Sequence, residues 1–326
     1  MSDQKVSVIG AGAWGTALAA NAARGGRKVR IWARKPEHAE EIRKTSRNDK
    51  YLPGIDLPTS VVATSDLDVA CEHADIILLC VPAQTLSPTV QRCALHTSVE
   101  ATFVSCAKGI DRATGKTMTE VISGHSGGRE IAVLSGPSFA ADVARFLPTA
   151  VTIASADEET ALELAKALSN DTLRCYAASD VRGVELGGAL KNVLAIAAGI
   201  TRGRRLGASA EAALIARGFA EMTRIATAMG ARPETMAGLA GLGDLVLTCS
   251  SDKSRNFAFG VAIGTGLPVD DLPLAEGAKT AEIASYLARR DGISAPVTGA
   301  VADILKGALT VDDAIASLFA RPIKSE

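Results

Sequence analysis

The chain has 326 residues, of which 47% are apolar, and this is enough for a buried core and two domains. A formal net charge of −1 gives no electrostatic reason to expect binding to nucleic acid or to a membrane surface. The six cysteines are scattered, which indicates ordinary intracellular thiols and predicts neither a disulfide framework nor a metal site.

The chain start and the apolar stretches bear on localisation. The opening residues MSDQKVSVIG carry an acid early and enter a strand within a few residues, so no signal peptide is expected. The apolar stretch at residues 193–200 is well short of the ~20 residues that a membrane span needs. We therefore expect a soluble, cytoplasmic protein without membrane insertion.

A glycine-rich turn follows the first predicted strand. The predicted strand at residues 5–9, whose Val6, Val8 and Ile9 are apolar, leads into Gly10-x-Gly12-x-x-Gly15 and an alanine-rich helix at residues 16–24. In this pattern the first glycine allows a tight turn, the second lets a pyrophosphate approach the backbone, and the third lets the helix pack close to the strand. The free N–H groups and the dipole at the helix N-terminus favour the diphosphate. The segment predicts dinucleotide binding.

Strand and helix alternate through the first half, which indicates a parallel sheet covered on both faces. The further predicted strands are residues 28–33, 74–81, 101–106, 130–134, 150–154 and 173–177. From about residue 179 helical periodicity dominates, at residues 184–200, 210–229, 257–263, 280–290 and 295–305. The predicted fold class is α/β, with an N-terminal Rossmann-type, mostly parallel-sheet domain at residues 1–178. A mostly α-helical substrate-binding domain follows at residues 179–326.

The end of the second predicted strand bears on the choice of nicotinamide cofactor. An NAD-specific domain usually places an acid there to hold the ribose 2′-OH, but this chain has Arg34 and Lys35. Two cations suit a 2′-phosphate, although both residues are equally compatible with a solvated loop. The sequence favours NADP(H), with NAD(H) also possible.

An enzyme that transfers a hydride from a nicotinamide also needs a group that gives or takes the hydroxyl proton, and elimination identifies that group. All four histidines, His38, His73, His96 and His125, lie in the first half, so the helical half cannot contribute a His–Asp pair as in lactate-type dehydrogenases. No tyrosine is followed four residues later by lysine, which excludes the Tyr-x-x-x-Lys pair of short-chain dehydrogenases, and no Cys/His cluster suggests a catalytic zinc. A lysine is the remaining candidate.

Two lysines occupy suggestive positions. Lys108 follows a predicted strand at the carboxyl edge of the sheet, where open α/β folds bind ligands. Lys191 interrupts an otherwise apolar helix among glycine, alanine and leucine, where a charge is costly unless it faces a cleft. A surface lysine with its stem along the helix is the alternative.

Two further segments suggest binding of an anion. Ser254 is placed to cap a helix that begins with Arg255, so backbone N–H groups and a guanidinium would converge on a phosphate. A plain capping motif is the alternative. The loop from Gly136 to Ser138 also lies at the carboxyl edge of the sheet, where proline stiffens the backbone beside a hydroxyl donor.

These segments together resemble the bacterial NAD(P)-dependent glycerol-3-phosphate dehydrogenases over nearly the whole chain. In the first half the matching runs are GAGAWGTALA (10–19), YLPGIDLP (51–58), the turn at residues 108–110, SGPSFA (135–140) and PTA (148–150). In the second half they are GVELGGALKNVLAIAAGI (183–200), AALI (212–215), GLAGLGDLVLTCSS (238–251) and SRN (254–256). The ordered series is highly specific.

The resemblance implies roles for individual residues. Lys191 would be the proton donor and acceptor at the substrate C2 oxygen, with Asp244 orienting and balancing it. The other implied catalytic positions are Lys108, Asn192 and Thr248. The substrate-binding positions are Lys108, Gly136, Ser138, Lys191, Asp244, Ser254, Arg255 and Asn256. With the three glycines of the turn, Gly10, Gly12 and Gly15, the cofactor-binding positions are Ala13, Trp14, Arg34, Lys108, Ala140, Arg255 and Glu276.

The chain departs from the family pattern at Ser209, Ala216, Asp142 and Ala275, where the family commonly has Asn, Thr, Glu and Val. Basic residues often follow the SRN run, but here Phe257 and Ala258 follow it. None of these changes removes a proposed catalytic group, and their effect on cofactor preference and affinity is left open.

The expected reaction is the interconversion of dihydroxyacetone phosphate and sn-glycerol 3-phosphate by hydride transfer with NAD(P)H. The resemblance also implies a homodimer and a role in supplying phospholipid synthesis. Two alternatives stay open: a related dehydrogenase of another phosphorylated or acidic alcohol, and a non-catalytic NAD(P)-binding sensor.

Overall fold

The computed structural model describes residues 4–270, 272, 273 and 275–320. The chain divides into two compact units, Met1–Glu185 and Leu186–Glu326. The first unit is built on one eight-stranded sheet. In chain order its strands are β1 (Lys5–Ile9), β2 (Lys28–Trp32), β3 (Val61–Thr64), β4 (Ile76–Leu79), β5 (Thr102–Ser105), β6 (Ile131–Ser135), β7 (Thr149–Ser155) and β8 (Leu173–Ala178).

The strand order of the sheet is β3-β2-β1-β4-β5-β6-β7-β8. Every neighbouring pair is parallel except β6 and β7, which are antiparallel. The chain moves outward from β1 in one direction and then returns to place β4 on the other side of β1. The crevice beyond the carboxyl ends of β1 and β4 is therefore a topological switch point, where open α/β sheets bind ligands.

Helices cover both faces of the sheet. They are α1 (Ala13–Arg24), α2 (Pro36–Thr45), α3 (Leu67–Cys71), α4 (Leu86–His96), α5 (Met118–Ser123), α6 (Ala140–Ala144) and α7 (Glu158–Leu168), with a 3₁₀ turn at Ala83–Thr85. The four residues of β4 are all buried, with alternate side chains in the two core layers. This two-sided burial accounts for the continuous apolar run in the sequence.

The second unit is helical, and its described residues contain no strand. Helix α8 (Val181–Gly203) begins within the first unit and continues into the second. The others are α9 (Ala208–Ala228), α10 (Pro233–Met236), α11 (Asp244–Cys249), α12 (Arg255–Thr265), α13 (Glu276–Arg290), α14 (Pro296–Leu305) and α15 (Val311–Phe319), with a π-helical turn at Leu239–Gly243. The predicted fold class, a mostly parallel-sheet domain followed by a mostly helical one, is confirmed.

Helix α8 is long and apolar enough to cross a membrane by length and composition, with a mean hydropathy of 1.3 over its most apolar window. All of that window is buried inside the protein, as in a core helix of a globular fold. The sequence predicts a helix at residues 184–200, but its argument against a membrane span considered only the apolar run at residues 193–200, which is shorter than the observed helix.

Glycines allow α8 and α12 to pack backbone against backbone. A Cβ atom on Gly199 would lie 2.1 Å from the Phe257 carbonyl oxygen, and one on Gly260 would lie 2.1 Å from that of Ile196. No side chain fits in such a gap, so positions 199 and 260 must both be glycine. The close approach fixes the first half of α12 beside the C-terminal third of α8.

Candidate active site

The glycine turn between β1 and α1 has the shape expected of a dinucleotide-binding turn. Gly10 has a φ of +121°, and a Cβ atom there would lie 2.7 Å from the Cys80 carbonyl oxygen. A Cβ on Gly15 would lie 2.0 Å from the Gly10 carbonyl oxygen. A Cβ on Gly12, by contrast, would meet nothing within 4 Å. The backbone at Gly12 is therefore open to a ligand, while its two companions are needed for the packing of the turn.

The unpaired N–H groups of the first turn of α1 lie beside the open backbone of Gly12, because Gly12 is the N-cap of this helix. The indole Nε1 of Trp14 is buried there without a hydrogen-bond partner. An open backbone, a helix N-terminus and an orphaned buried donor fit a group that carries acceptor oxygens. The turn therefore fits the dinucleotide that the sequence predicts.

Arg34 and Lys35 follow β2 and are both exposed. The Lys35 ammonium lies 4.0 Å from the Glu37 carboxylate, so Lys35 has an acidic neighbour on α2. The role of Arg34 toward a 2′-phosphate remains a prediction.

Three of the predicted substrate residues meet at one backbone carbonyl of the first unit. The Lys108 ammonium donates to the Gly136 carbonyl over 3.2 Å, and the Ser138 hydroxyl donates to the same oxygen over 3.0 Å. Gly136 has a φ of +148°, and a Cβ atom there would lie 2.9 Å from Val151 Cα. The loops after β5 and β6 are thus joined at the carboxyl edge of the sheet. Ala140 begins α6 just beyond them.

The second unit contains a buried triad of polar side chains. Lys191 on α8 is 5% exposed, and its ammonium donates to the Asp244 carboxylate and, over 2.7 Å, to the Thr248 hydroxyl. Asp244 is 1% exposed, and the Thr248 hydroxyl donates over 2.6 Å to its backbone carbonyl. Because each group is oriented by another, the ammonium is held in one place. A lysine in this setting can donate or accept a proton at a defined position.

Glycine also explains how Asp244 reaches Lys191. A Cβ atom on Gly187, one helical turn before the lysine, would lie 2.6 Å from the Ala240 carbonyl oxygen. The π-helical turn therefore packs directly on the α8 backbone, and Asp244 begins α11 immediately after that turn. Burial raises the pKa of the neighbouring Cys249 thiol to about 12, although the positive charge of Lys191 opposes the rise. Cys249 is therefore an uncharged thiol next to the ion pair.

Two amides continue the site from α8 to the start of α13. The Asn192 Oδ1 atom accepts from Asn256 over 2.9 Å, and the Asn256 Oδ1 atom accepts from the Gly277 N–H over 2.9 Å. Gly277 is required here, since a Cβ atom would lie 2.5 Å from the Asn192 carbonyl oxygen. Glu276, the predicted cofactor contact, is the first residue of α13.

Helix α12 begins with the predicted phosphate residues. Ser254 is its N-cap, and the serine Oγ accepts from the Phe257 N–H over 3.2 Å. Arg255 is exposed and begins the helix. The capping motif, which was the alternative interpretation of the sequence, is therefore present. The exposed Arg255 guanidinium lies beside it and takes no part in the capping bond. An exposed cation at a helix N-terminus favours an anion.

Within each unit the structure brings most of the predicted residues together. In the first unit these are the turn residues and the group Lys108, Gly136 and Ser138. In the second they are Lys191, Asp244 and Thr248, with Asn192 joined to Asn256. The sequence reasoning missed Gly187 and Gly277 as packing positions, although a glycine beside a predicted site residue is a signal of close backbone approach.

Fold and site together define an NAD(P)-dependent dehydrogenase, with a Rossmann-type unit followed by a helical unit that carries a buried lysine. Residues 5–161 match the N-terminal domain of NAD-dependent glycerol-3-phosphate dehydrogenase, and residues 180–316 match the C-terminal domain of the same enzyme. The chain belongs to the NAD-dependent glycerol-3-phosphate dehydrogenase family.

Curated relatives and solved structures agree with this membership. The chain is 51% identical over 321 residues to a glycerol-3-phosphate dehydrogenase (NAD(P)+) of Chelativorans sp. strain BNC1, covering 98% of each chain. It is 54% identical over 321 residues, with the same coverage, to one from Bradyrhizobium diazoefficiens. The crystal structure of the Coxiella burnetii glycerol-3-phosphate dehydrogenase aligns with a TM-score of 0.93 at 37% identity, over 98% of this chain and 99% of that one.

These findings confirm the resemblance that the sequence motifs predicted. They favour the dehydrogenase over the non-catalytic sensor. The described residues contain no cluster of three or more His, Cys, Asp or Glu side chains that could hold a metal ion. The expectation that the chain has no metal site stays a prediction.

Proposed function

We propose that the chain interconverts dihydroxyacetone phosphate and sn-glycerol 3-phosphate, with NAD(P)H as the reductant. The buried contact of Lys191 with Asp244 and Thr248 is the observation that carries the proposal. In the reduction, one hydride and one proton add across the C2 carbonyl. When bound, the nicotinamide supplies the hydride, and the chain itself must supply the proton.

Lys191 is the proton donor in the reduction and the acceptor in the reverse direction. Asp244 and Thr248 hold its ammonium at the oxygen of C2, so that the proton is already in place when negative charge develops. Lys108 adds a second positive charge for that oxygen. The hydrogen bond from Lys108 to the Gly136 carbonyl fixes where its ammonium lies.

The substrate phosphate is assigned to the beginning of α12. Ser254, Arg255 and Asn256 supply a helix N-terminus, a guanidinium and an amide, which together suit a dianion. Binding energy from this remote group orients the carbonyl at Lys191. A substrate without phosphate is therefore expected to react poorly.

The dinucleotide is assigned to the first unit, on the glycine turn, Trp14, Arg34, Lys108 and Ala140. Arg255 and Glu276 are assigned to the same cofactor from the second unit. Residues 1–178 are then the dinucleotide-binding domain and residues 179–326 the substrate-binding domain. We further propose a cytoplasmic homodimer that supplies glycerol 3-phosphate to phospholipid synthesis.

Oxidation of NADPH and NADH, with dihydroxyacetone phosphate and with unphosphorylated dihydroxyacetone, tests the reaction. Rapid oxidation that requires the phosphorylated substrate supports both the reaction and the phosphate site. Folded protein that oxidises neither cofactor with either substrate contradicts the proposal. Sedimentation or light scattering of the purified protein tests the dimer separately.

A further inference from the structure

A buried asparagine lies behind the glycine turn and is used by no step of the proposed reaction. Asn48, in the segment between α2 and β3, is 1% exposed. Its Nδ2 atom donates to the Ala11 carbonyl over 3.0 Å and to the Thr16 hydroxyl over 2.7 Å. Its Oδ1 atom lies 2.8 Å from the Nε2 atom of His38. Because both amide hydrogens go to acceptors, Oδ1 must accept and His38 must donate.

The Ala11 carbonyl is part of the turn itself. In a planar trans peptide the carbonyl and the following N–H point in opposite directions, so holding the Ala11 oxygen also fixes the direction of the Gly12 N–H. Thr16 lies in the first turn of α1, where its own N–H donates to the Gly12 carbonyl over 2.9 Å. Asn48 therefore holds the backbone at Ala11, which precedes α1, and the Thr16 side chain in the first turn of α1.

Asn48 is itself held by a compact segment. The Leu57 N–H donates to the Ser46 carbonyl over 2.8 Å and closes the segment, and the Leu52 N–H donates to the Asn48 carbonyl over 2.8 Å. Leu52 and Ile55 are buried in a cluster with Ala17 of α1. The asparagine is therefore in place before any ligand arrives.

We propose that Asn48 is a positioning residue for the dinucleotide, acting through the backbone of the glycine turn. It holds the peptide between Ala11 and Gly12 and the first turn of α1 in the orientation that a pyrophosphate needs. The inference rests on the proposed placement of the cofactor at this turn, and it assigns Asn48 no direct contact with the cofactor. Loss of its two donors should weaken dinucleotide binding and leave the chemical step unchanged.

The test is Asn48→Asp, which keeps the shape and the acceptor toward His38 but removes both N–H donors; because it also adds a carboxylate, Thr16→Val, described below, provides the uncharged variant. Dissociation constants for NADPH and NADH are measured directly by fluorescence, without substrate. We expect the Kd to rise about tenfold, as for the loss of a buried hydrogen bond of the binding-competent state. At saturating cofactor, kcat should stay within a factor of about two of the wild-type value, so that the effect is confined to binding.

Asn170→Asp is the matched control, because it removes two donors to the same helix at its other end. The Asn170 Nδ2 atom donates to the backbone carbonyl of Asn21 over 3.1 Å and to its side-chain oxygen over 2.8 Å. This variant should lose stability and keep the wild-type Kd. If Asn48→Asp does not fold, Thr16→Val replaces it, since that change removes one acceptor of Asn48 without changing side-chain size, and a rise in Kd of about threefold is expected.

Three results overturn the inference or its basis in distinguishable ways. A folded Asn48→Asp or Thr16→Val protein with a Kd within a factor of about two of wild type shows that the asparagine does not position the turn. An equal rise in Asn170→Asp shows that α1 is merely loosened. Wild-type protein that binds neither dinucleotide contradicts the proposed cofactor site, whatever the variants do.

Discussion

The Lys191 ammonium and the Asp244 carboxylate form an ion pair in the interior of the second unit, where the two residues are 5% and 1% exposed. Burial of two charges is costly, and replacing a buried ion pair with apolar residues often leaves stability unchanged or raises it. The pair is therefore poorly explained as a device for stability alone. A lysine that must hold a proton beside a substrate does explain it.

Lys191→Ala should abolish turnover, because no other described group of the second unit is held in the position of its ammonium. We expect kcat to fall by at least about 10² to 10⁴, the usual contribution of general acid catalysis, with little change in the Kd of the dinucleotide. Steady-state rates and direct cofactor titration measure the two effects. Lys306→Ala, which removes an exposed lysine 3.8 Å from Glu282, should leave both unchanged.

The loss of Lys191 also leaves Asp244 without its ion-pair partner, at a cost of about 3–5 kcal/mol in the free energy of unfolding. The double variant Lys191→Met, Asp244→Asn removes both charges and should recover most of that stability, measured by urea unfolding. It should remain inactive. Recovered activity in the double variant would rule out proton transfer by Lys191.

Arg255→Ala tests the phosphate anchor. A hydrogen bond to a charged group is worth about 1.5–3 kcal/mol, so we expect kcat/KM for dihydroxyacetone phosphate to fall about 10- to 100-fold. The weak reaction of unphosphorylated dihydroxyacetone should change much less, and the ratio between the two substrates is the measurement. Arg290→Ala removes an exposed arginine paired with Asp291 and serves as the control. Equal losses for both substrates would place Arg255 outside the phosphate site.

Arg34→Ser tests the preference for cofactor. The exposed guanidinium after β2 suits a 2′-phosphate, which NADPH carries and NADH lacks. The KM for NADPH should rise about tenfold while that for NADH changes little, because one charge-assisted hydrogen bond is lost. Lys35→Ser, at the neighbouring residue beside Glu37, should have a smaller effect. An equal change for both cofactors would contradict the assignment.

Much of the fold could be predicted from the sequence, because buried strands and helices leave continuous or periodic apolar patterns. Seven of the strands were expected within one or two residues of their observed bounds. The prediction missed β3, a four-residue strand at the edge of the sheet in which only Ala63 is buried. A short edge strand with one buried residue has too short an apolar run to be distinguished from a loop.

The site was less predictable, because its geometry depends on contacts between distant segments. Lys191 stood out as a charge among small apolar residues, and the resemblance supplied Asp244. The turn that brings them together depends on Gly187 packing against Ala240. Both this pair and the pair Lys191–Asp244 are separated by 53 residues of chain, so neither contact can be read from local sequence. Asn48 gave no local signal, since a buried asparagine in a loop resembles any turn residue in sequence.

Glu221 should make stability depend on pH. Its buried carboxylate accepts from the Val297 and Thr298 N–H groups, over 2.9 and 2.7 Å, at the start of α14. Burial raises the pKa of Glu221 above the ordinary value of 4.5, and hydrogen bonds from Thr298 and Val297 oppose the rise. The folded protein therefore holds this proton more tightly than the unfolded chain. The resulting stabilisation is complete below pH 4.5 and is lost as the pH rises through the folded-state pKa.

Glu221→Gln removes the titration, so the stability difference between wild type and this variant should shift toward the variant as the pH rises. Urea unfolding at several pH values measures that difference. Glu221→Ala should cost about 1–3 kcal/mol, because two N–H groups of α14 lose their acceptor. Glu234→Gln, at an exposed position, should change stability little. A difference between wild type and Glu221→Gln that is independent of pH would contradict the prediction.

The crossing of α8 and α12 makes a matched pair of glycine substitutions informative. Gly260→Ala places a methyl group 2.1 Å from the Ile196 carbonyl oxygen, so the helices must move apart, at a cost of about 1–3 kcal/mol or more. Because α12 carries Ser254 and Arg255, the KM for the phosphorylated substrate should rise as well. Gly299→Ala makes the same change inside α14, where a Cβ meets nothing within 4 Å, and should stabilise the protein by roughly 0.5–1 kcal/mol. A Gly260→Ala protein with the wild-type free energy of unfolding and the wild-type KM would show that the backbone contact between α8 and α12 does not fix the phosphate site.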